Sequence, residues 1–155
     1  MAEMGKEVMK KIDLLGPSTG ISIEGVPQVG RLLHYEKRQD TSVDNPYWCG
    51  AHFDHGLFTA LLSGFYFLDG KEVPEPEEAG LFVNVQGAIK KVHADPEIML
   101  FQVGEFAQLA MNDAIRATEH RVQKAEGPIE RYTMAVFFEP PLDASISSTS
   151  ELTQD

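Results

Sequence analysis

The apolar positions of the first fifteen residues recur at helical spacing, with polar residues between them. These apolar positions are Met4, Val8, Ile12 and Leu15. The pattern predicts an amphipathic helix over residues 2–15, which the Gly16-Pro17 pair ends. A helix with a single apolar stripe must bury that stripe, most simply on the outside of a sheet.

From Gly30 onward the pattern changes to short apolar runs and to alternation with a period of two, which is typical of β-strands. The segments with this character are Arg31–Tyr35, Leu57–Leu62, Phe65–Leu68, Leu81–Val85, Met99–Val103 and Arg131–Phe138. The second and third are separated only by Ser63-Gly64, a spacing that predicts a hairpin. Many short strands at regular spacing indicate a sandwich or barrel, and a jelly roll is the closed arrangement of two such sheets.

Composition divides the chain into three segments. Residues 1–29 contain the helix and a turn-rich connection, and residues 30–141 contain the strands. Residues 142–155 are polar and rich in serine and threonine, which predicts a disordered tail. Within the strand region, Asp69–Gly80 is predicted to be an acidic loop, and Gln108–Arg116 fits either one helical turn or a loop.

The length of 155 residues and the hydrophobic fraction of 43% predict one soluble domain. No apolar run approaches the roughly 20 residues of a membrane span, and the N-terminus lacks the apolar core of a signal peptide. The single cysteine, Cys49, forms no internal disulfide, which favours the cytoplasm. We expect its thiol to be a small buried apolar group, although a chemical role beside the nearby His52 stays open. The net charge of −11 argues against nucleic-acid or membrane partners.

The strongest chemical signal lies in Gly50–Leu62, where His52 and Asp54 are two residues apart. In an extended strand, side chains at this spacing point to one face, while Phe53 points to the other. The pair supplies two-thirds of a site in which two histidines and one carboxylate occupy one face of a metal ion. That arrangement suits non-haem Fe(II) working with dioxygen, because the opposite coordination positions stay open. His55 is expected to lie at the surface or to support a ligand residue, and not to be a ligand itself.

The candidate for the second histidine is His120, near the start of a short apolar strand. Further on, Arg131 and Thr133 share one face of the last strand. An arginine beside a hydroxyl group is a good receptor for a carboxylate. This pair would hold one end of an anionic co-substrate while the other end occupies two open metal positions.

The segments that carry these residues resemble the 2-oxoglutarate- and Fe(II)-dependent dioxygenases, and among them the isopenicillin N synthase-like branch. They are HYEKRQDTSVDNPYWCGAHFDHGLFTALL, GLFVNVQG, IMLFQVGEFAQLAMNDAIRATEHRV and RYTMAVFFEPP, in the order found in that family. The resemblance covers about residues 31–141. It implies a mainly β fold, a double-stranded β-helix (jelly roll), with an N-terminal helix packed on the outside.

The same resemblance implies the roles of the candidate site residues. His52, Asp54 and His120 would be the iron ligands of the catalytic centre, and Arg131 and Thr133 would bind the distal carboxylate of 2-oxoglutarate. Thr133 stands where the family usually has serine, a change that keeps the hydroxyl group.

A further co-substrate contact is implied for Tyr35, which matches a family tyrosine. The chain departs from the family pattern around it, with Glu36 in place of a proline and Leu33 in place of a polar residue. The N-terminal region is also shorter than is usual for the family.

The implied reaction is the oxidative decarboxylation of 2-oxoglutarate to succinate and CO2, coupled to O2-dependent oxidation of a small-molecule substrate, with ascorbate in a supporting role. Candidates to line or back the pocket are Phe53, Leu57, Phe101 and Phe137, although core packing explains each of them equally well. Two alternatives stay open: an Fe(II) oxidase of the same branch that does not use 2-oxoglutarate, and a truncated non-catalytic domain for metal binding or interaction. Neither the substrate nor the oligomeric state follows from the residues.

Overall fold

The computed structural model describes residues 1–13, 25–37 and 45–153, and two antiparallel sheets dominate it. The strands are β1 (Gln28–Tyr35), β2 (Tyr47–His52), β3 (Phe58–Leu61), β4 (Phe65–Leu68), β5 (Lys71–Val73), β6 (Gly80–Val85), β7 (Ala88–Lys91), β8 (Leu100–Val103), β9 (His120–Gln123) and β10 (Ile129–Phe138). The α-helices are α1 (Ala2–Asp13) and α2 (Glu105–Ala110), and Glu151–Thr153 form a short 3-10 helix. None of the helices in these ranges has the length and apolar character needed to cross a membrane. The mainly β roll with an N-terminal helix is confirmed.

The larger sheet is built around β10, which is paired along both edges. β1 follows one edge, from Tyr35 opposite Arg131 to Gln28 opposite Phe138. β3 and β4 follow one another along the other edge. β8 then extends the sheet beside β3, and β5 extends it beside β4.

The predicted hairpin between Leu57–Leu62 and Phe65–Leu68 is wrong. β3 and β4 lie in line against the same edge of β10, and the break at Ser63-Gly64 separates them. A Cβ atom added to Gly64 would lie 2.5 Å from Nε of Arg131. The glycine therefore allows a close approach between the backbone and a buried guanidinium, instead of making a tight turn.

The smaller sheet has the strand order β2-β9-β6-β7. Its outer strand β7 was not predicted. It follows β6 after a two-residue turn, Gln86-Gly87, in which both φ angles are positive, 54° and 85°. Asp69-Gly70, with φ angles of 48° and 76°, makes the same kind of turn between β4 and β5. Part of the predicted acidic loop is therefore a strand.

Residues along β3 and β10 alternate between two environments, as the sequence of β10 predicts. The outward-facing side chains form a hydrophobic core with parts of both helices; its buried members are Met9, Val26, Leu57, Phe58, Ala60, Ala107, Val136 and Phe138. The inward-facing side chains line a cavity between the sheets; they include Thr59, Leu61, Arg131, Thr133, Ala135 and Phe137. β3 and β10 thus each contribute side chains to the core on one face and to the cavity wall on the other.

α1 packs on this core, as expected for a helix on the outside of a sheet, and Ile12 of the predicted stripe contacts it. Gly5 and Met9 are buried, whereas Met4 is 51% exposed. A Cβ atom at Gly5 would lie 2.1 Å from the ring of Phe138, so the helix meets the sheet at its glycine. The buried face is therefore rotated from the predicted stripe, whose last member, Leu15, lies outside the described residues.

The tail differs from the predicted disorder over residues 148–153. Ser148 Oγ donates a hydrogen bond to the carbonyl of Leu109 at 2.6 Å, and Ser150 Oγ donates to the carboxylate of Asp113 at 2.7 Å. Ser150 is fully buried. The serine hydroxyls that suggested a solvated tail instead dock it on the turn that follows α2.

We expect the Asp113→Asn variant to loosen the docked tail at neutral pH. Hydrogen bonds from Ser150, from Gln108 and from the Glu151 N–H lower the pKa of Asp113. The carboxylate therefore stabilises docking above its ordinary pKa, and this stabilisation is lost as the pH falls through the lowered folded value. Hydrogen exchange of residues 148–153 is the measurement. Exchange should be faster in the variant at about pH 7, and the difference should shrink as the pH falls through the lowered folded pKa of Asp113.

The Asp143→Asn variant removes an exposed carboxylate of the same tail and is the matched control. It should leave the exchange of residues 148–153 unchanged. Equal exchange rates in the Asp113→Asn variant and the wild type at neutral pH would contradict the docking role of Asp113.

Candidate active site

Two histidines meet where β2 ends and β9 begins. Antiparallel pairing places His52 opposite His120, and their ring centroids are 4.1 Å apart. His120 is buried, whereas His52 is half-buried in the cavity wall. The register of the smaller sheet thus joins two residues that are far apart in the sequence.

Asp54 completes the cluster from the segment after β2. Its Oδ1 lies 3.7 Å from Nε2 of His52 and 3.9 Å from Nε2 of His120. One possible ligand atom of each residue lies within 4.8 Å of the other two. Because β2 ends at His52, Asp54 lies just beyond the strand in which the alternation was expected. The structure brings the three predicted ligands together by this different local geometry.

Each imidazole presents Nε2 to the cluster because its Nδ1 meets the backbone. Nδ1 of His52 lies 2.8 Å from the carbonyl of Gly50, and Nδ1 of His120 lies 3.0 Å from the carbonyl of Thr118. Since a carbonyl only accepts hydrogen bonds, we assign the proton to Nδ1 in both rings, which leaves a lone pair on each Nε2. The Nε2 of His120 also lies 3.0 Å from Nε2 of Gln102. Burial lowers the pKa of His120 and so favours its neutral form.

The second carboxylate oxygen of Asp54 is held from the larger sheet. Thr59 Oγ1 donates to Oδ2 at 2.5 Å, and Gln102 Nε2 donates to it at 2.9 Å. Both donors are buried. Sequence reasoning missed them, and the only available signal was a polar side chain in an otherwise apolar strand.

Arg131 lies at the other end of the same cavity and is 6% exposed. Its Nε donates to the hydroxyl of Tyr66 at 3.2 Å, and its guanidinium carbon lies 5.2 Å from the ring centroid of Tyr35. Its Nη1 is buried and has no hydrogen-bond partner among the described residues. An unpaired buried donor is costly, so this guanidinium is ready to bind an acceptor that enters the cavity.

Arg131 belongs to a chain of polar groups that sequence reasoning missed. The Tyr66 hydroxyl donates to Oε1 of Glu75 at 3.0 Å, and Nζ of Lys91 lies 3.7 Å from the same oxygen. Burial raises the pKa of Tyr66, so its hydroxyl stays protonated and both accepts and donates. The three residues lie in separate parts of the chain, so no local motif marks them.

Thr133 and Tyr35 line the cavity beside Arg131. The Thr133 hydroxyl donates to the carbonyl of Leu62 at 2.7 Å. Tyr35 lies opposite Arg131 in the β1–β10 register, and burial raises the pKa of its hydroxyl. The positions agree with the predicted co-substrate contacts of both residues, and the contacts themselves stay predictions.

A cavity of about 510 Å³ connects the histidine–aspartate cluster with Arg131. Much of its wall is apolar; members include Leu33, Leu61, Leu81, Val92, Leu100 and Val122. Of the predicted lining residues, Phe53 and Phe137 reach the cavity. Leu57 and Phe101 instead belong to the core on the outward face of the larger sheet, which is the alternative left open for them.

Cys49 and His55 flank the cluster without facing it as ligands. The Cys49 Sγ lies 3.6 Å from Nδ1 of His52, the ring nitrogen turned away from Asp54. Burial raises the pKa of this thiol, which is half-buried and not fully buried as expected. The His55 side chain is 92% exposed and lies 2.5 Å from the carboxylate of Glu105, at the predicted surface position.

The residues present fit a divalent ion of the Fe(II) type together with an organic anion. Two imidazoles and one carboxylate form a three-ligand set that leaves further coordination positions for other molecules. The unpaired Nη1 of Arg131 supplies a donor for an anionic group in the same cavity. The arrangement can therefore hold a metal and a carboxylate-bearing molecule side by side.

Comparison with known proteins gives matches over the same region. A family model described as the 2OG-Fe(II) oxygenase superfamily matches residues 28–140. This range includes every predicted site residue. The 2-oxoglutarate-dependent dioxygenase AOP2 of Arabidopsis thaliana is 31% identical over 104 residues, which are 67% of this chain and 22% of that protein.

Solved structures share the fold. AtDAO1, the dioxygenase for auxin oxidation 1 from Arabidopsis thaliana, matches with a TM-score of 0.71 and 21% identity over 96% of this chain and 52% of its own. A full-length Neurospora crassa protein in complex with alpha-KG matches with a TM-score of 0.70 and 22% identity over 95% of this chain and 45% of its own. The chain spans 36% and 38% of the length of two curated relatives and 22% of AOP2.

Proposed function

Because the chain belongs to the 2OG-Fe(II) oxygenase superfamily, we propose that it couples the oxidative decarboxylation of 2-oxoglutarate to the O2-dependent oxidation of a small organic molecule at a non-haem Fe(II) centre. One observation carries the proposal. The cluster of His52, Asp54 and His120 shares a cavity with the unpaired Nη1 of Arg131. Each half of this arrangement fits one of the two groups that the reaction requires.

His52, Asp54 and His120 would hold the iron through Nε2, Oδ1 and Nε2. The Gly50 and Thr118 carbonyls fix the two rings in the tautomer that a metal needs, and they also fix the ring orientation. The bound iron and 2-oxoglutarate supply the oxidising chemistry, with succinate and CO2 as the co-substrate products. The protein contributes position, and the apolar cavity wall excludes water from the reacting groups.

Arg131 would bind the distal carboxylate of 2-oxoglutarate, with Tyr35 and Thr133 beside it. The charges at this end favour an anion, since Arg131 and Lys91 outnumber Glu75 by one positive charge. The Tyr66 hydroxyl fixes the guanidinium orientation by accepting from Nε. A fixed and largely desolvated guanidinium binds a carboxylate more strongly than a mobile surface arginine does.

The oxidised substrate would occupy the part of the cavity near Phe53 and Phe137. These rings and the neighbouring aliphatic wall favour a small molecule with an apolar body. The acidic surface, with a net charge of −11, makes nucleic acid an unfavourable partner. We also propose cytoplasmic localisation and a supporting role for ascorbate, which keeps iron in the ferrous state.

Anaerobic titration of the Fe(II)-loaded protein with 2-oxoglutarate tests the proposal through the weak visible charge-transfer band of the chelate. The wild type should develop the band and, in air with a substrate, should release succinate. The Arg131→Lys variant keeps the charge but loses the fork geometry. We expect its affinity for 2-oxoglutarate to fall by about 2 kcal/mol, or roughly 30-fold.

The matched control is Arg121→Lys. Arg121 is also an arginine packed on aromatic rings, 5.0 Å from the Tyr47 centroid, but it does not line the cavity. Its replacement should leave the affinity unchanged. Bound iron without a band would favour the oxidase that does not use 2-oxoglutarate. Absence of iron binding would favour the non-catalytic domain.

A further inference from the structure

We propose that Thr59 and Gln102 set the coordination mode of Asp54, by holding its Oδ2 so that only Oδ1 is available to the metal. They are positioning residues, because they act on the metal through Asp54. The inference rests on the proposed iron site. It explains how the protein would keep enough coordination positions open for both co-substrates.

The hydrogen bonds of Asp54 are distributed unequally between its two oxygens. Oδ2 accepts from Thr59 Oγ1 at 2.5 Å and from Gln102 Nε2 at 2.9 Å. A carboxylate oxygen offers about two acceptor sites, so these donors saturate Oδ2. Oδ1 instead points to the histidines, 3.7 Å and 3.9 Å from their Nε2 atoms.

The two donors form one rung of the larger sheet. Thr59 on β3 lies directly opposite Gln102 on β8, and their side chains are 2% and 7% exposed. Both therefore project from a rigid, hydrogen-bonded position toward the carboxylate of Asp54. The metal cluster comes from β2, β9 and the segment after β2, so the larger sheet supports a site that the smaller sheet assembles.

The backbone around Asp54 is fixed from the same direction. The N–H of Glu105 donates to the carbonyl of Asp54 at 2.8 Å, and the N–H of Gly104 donates to the carbonyl of Leu57 at 3.0 Å. With the main chain held, Asp54 could offer both oxygens to a metal only by giving up the bonds from Thr59 and Gln102. Hydrogen bonds to a charged group are among the stronger ones in proteins.

Gln102 also contacts a second member of the cluster. Its Nε2 lies 2.9 Å from Nδ1 and 3.0 Å from Nε2 of His120. A single amide group therefore spans the carboxylate of Asp54 and the imidazole of His120. Because a metal would take the lone pair on Nε2 of His120, the bond of Gln102 that is compatible with the loaded site is the one to Oδ2 of Asp54.

Counting coordination positions shows why one oxygen matters. Fe(II) in this kind of site has six positions, and three single-atom protein ligands leave three open. A 2-oxoglutarate chelate would take two, which would leave one for dioxygen. If Asp54 used both oxygens, the chelate would fill the site. By holding Oδ2, Thr59 and Gln102 would therefore keep one coordination position open for dioxygen.

Nitric oxide, a spectroscopic stand-in for dioxygen, tests this inference without turnover. Anaerobic Fe(II) protein is titrated with nitric oxide, with and without saturating 2-oxoglutarate, and the iron–nitrosyl EPR signal is measured. The wild type should bind nitric oxide in both cases. The Thr59→Val/Gln102→Leu double variant should bind it without 2-oxoglutarate but at least about tenfold more weakly with it.

The Thr59→Ser variant restores the hydroxyl donor and should behave as the wild type in both titrations. The single variants Thr59→Val and Gln102→Leu each keep one donor and should show the same 2-oxoglutarate-dependent weakening to a smaller degree. If the double variant does not retain iron, the nitric oxide affinities of these single variants are compared with that of the wild type instead.

The inference would be overturned if every iron-loaded variant that lacks a donor bound nitric oxide as tightly as the wild type does in the presence of 2-oxoglutarate. Equal weakening with and without 2-oxoglutarate would also overturn it, because a merely structural role predicts that result. A wild type that binds no iron or no 2-oxoglutarate is a distinct outcome. That result would contradict the proposed function itself.

Discussion

The His120→Ala variant is expected to fold and to lose tightly bound iron. His120 is the most buried member of the cluster, and its removal leaves the metal with two protein ligands, His52 and Asp54. Replacing a group that merely supports a ligand costs about 10- to 100-fold in metal affinity, so losing a ligand should cost at least about 100-fold. Competition with a chromophoric chelator under anaerobic conditions measures this affinity.

His93 provides the matched control, since it is an exposed histidine outside the cavity wall. The His93→Ala variant should keep wild-type iron affinity. Unaltered iron affinity in His120→Ala, with circular dichroism showing a folded chain, would mean that the cluster is not the metal site.

The Gly104→Ala variant is expected to be strongly destabilised and to bind iron weakly. A Cβ atom at Gly104 would lie 2.1 Å from the carbonyl oxygen of Gly56 and 3.0 Å from that of Asp54. Both atoms belong to the backbone, so no side-chain rotation relieves the clash. Overpacking of this kind costs up to about 3 kcal/mol, which lowers Tm by roughly 6 to 12 °C in a domain of this size.

The iron affinity should fall with the stability because the displaced backbone carries Asp54. Gly30→Ala is the control, since a Cβ atom there has only Met134 Cε nearby, at 3.8 Å. It should melt close to the wild type. Similar melting temperatures for the Gly104→Ala and Gly30→Ala variants would show that the segment yields easily and that the close approach at Gly104 carries no cost.

The features that could be predicted from the sequence are those that a single segment encodes. β10 shows this best, because its alternation placed Arg131 and Thr133 on one face before any partner strand was known, and the structure has them on the cavity wall. His52, Asp54 and His120 were recognisable from their chemistry and their order along the chain. Their meeting depends on the β2–β9 register, which no local pattern specifies.

The errors arose where a distant strand decides the outcome. The spacing at Ser63-Gly64 is that of a hairpin, but β10 pairs with both flanking strands and keeps them in line. Thr59 and Gln102 were missed because each is one polar residue in an apolar strand, and only their cross-strand pairing reveals a shared role. The buried face of α1 was misjudged because Gly5 has no hydrophobic side chain, yet it allows the closest approach to the sheet.

The central position of β10 also bears on how the chain can mature on the ribosome. Its long partner β1 is synthesised roughly a hundred residues earlier, and β3 and β4 also precede it by a long interval. Until β10 emerges, these three strands lack the partner that separates and aligns them, and their open edges are exposed to other chains. The larger sheet therefore closes late in synthesis, and Arg131 enters the cavity only at that moment. Protection of nascent strands by chaperones would matter more for this arrangement than for a sheet assembled from neighbouring hairpins.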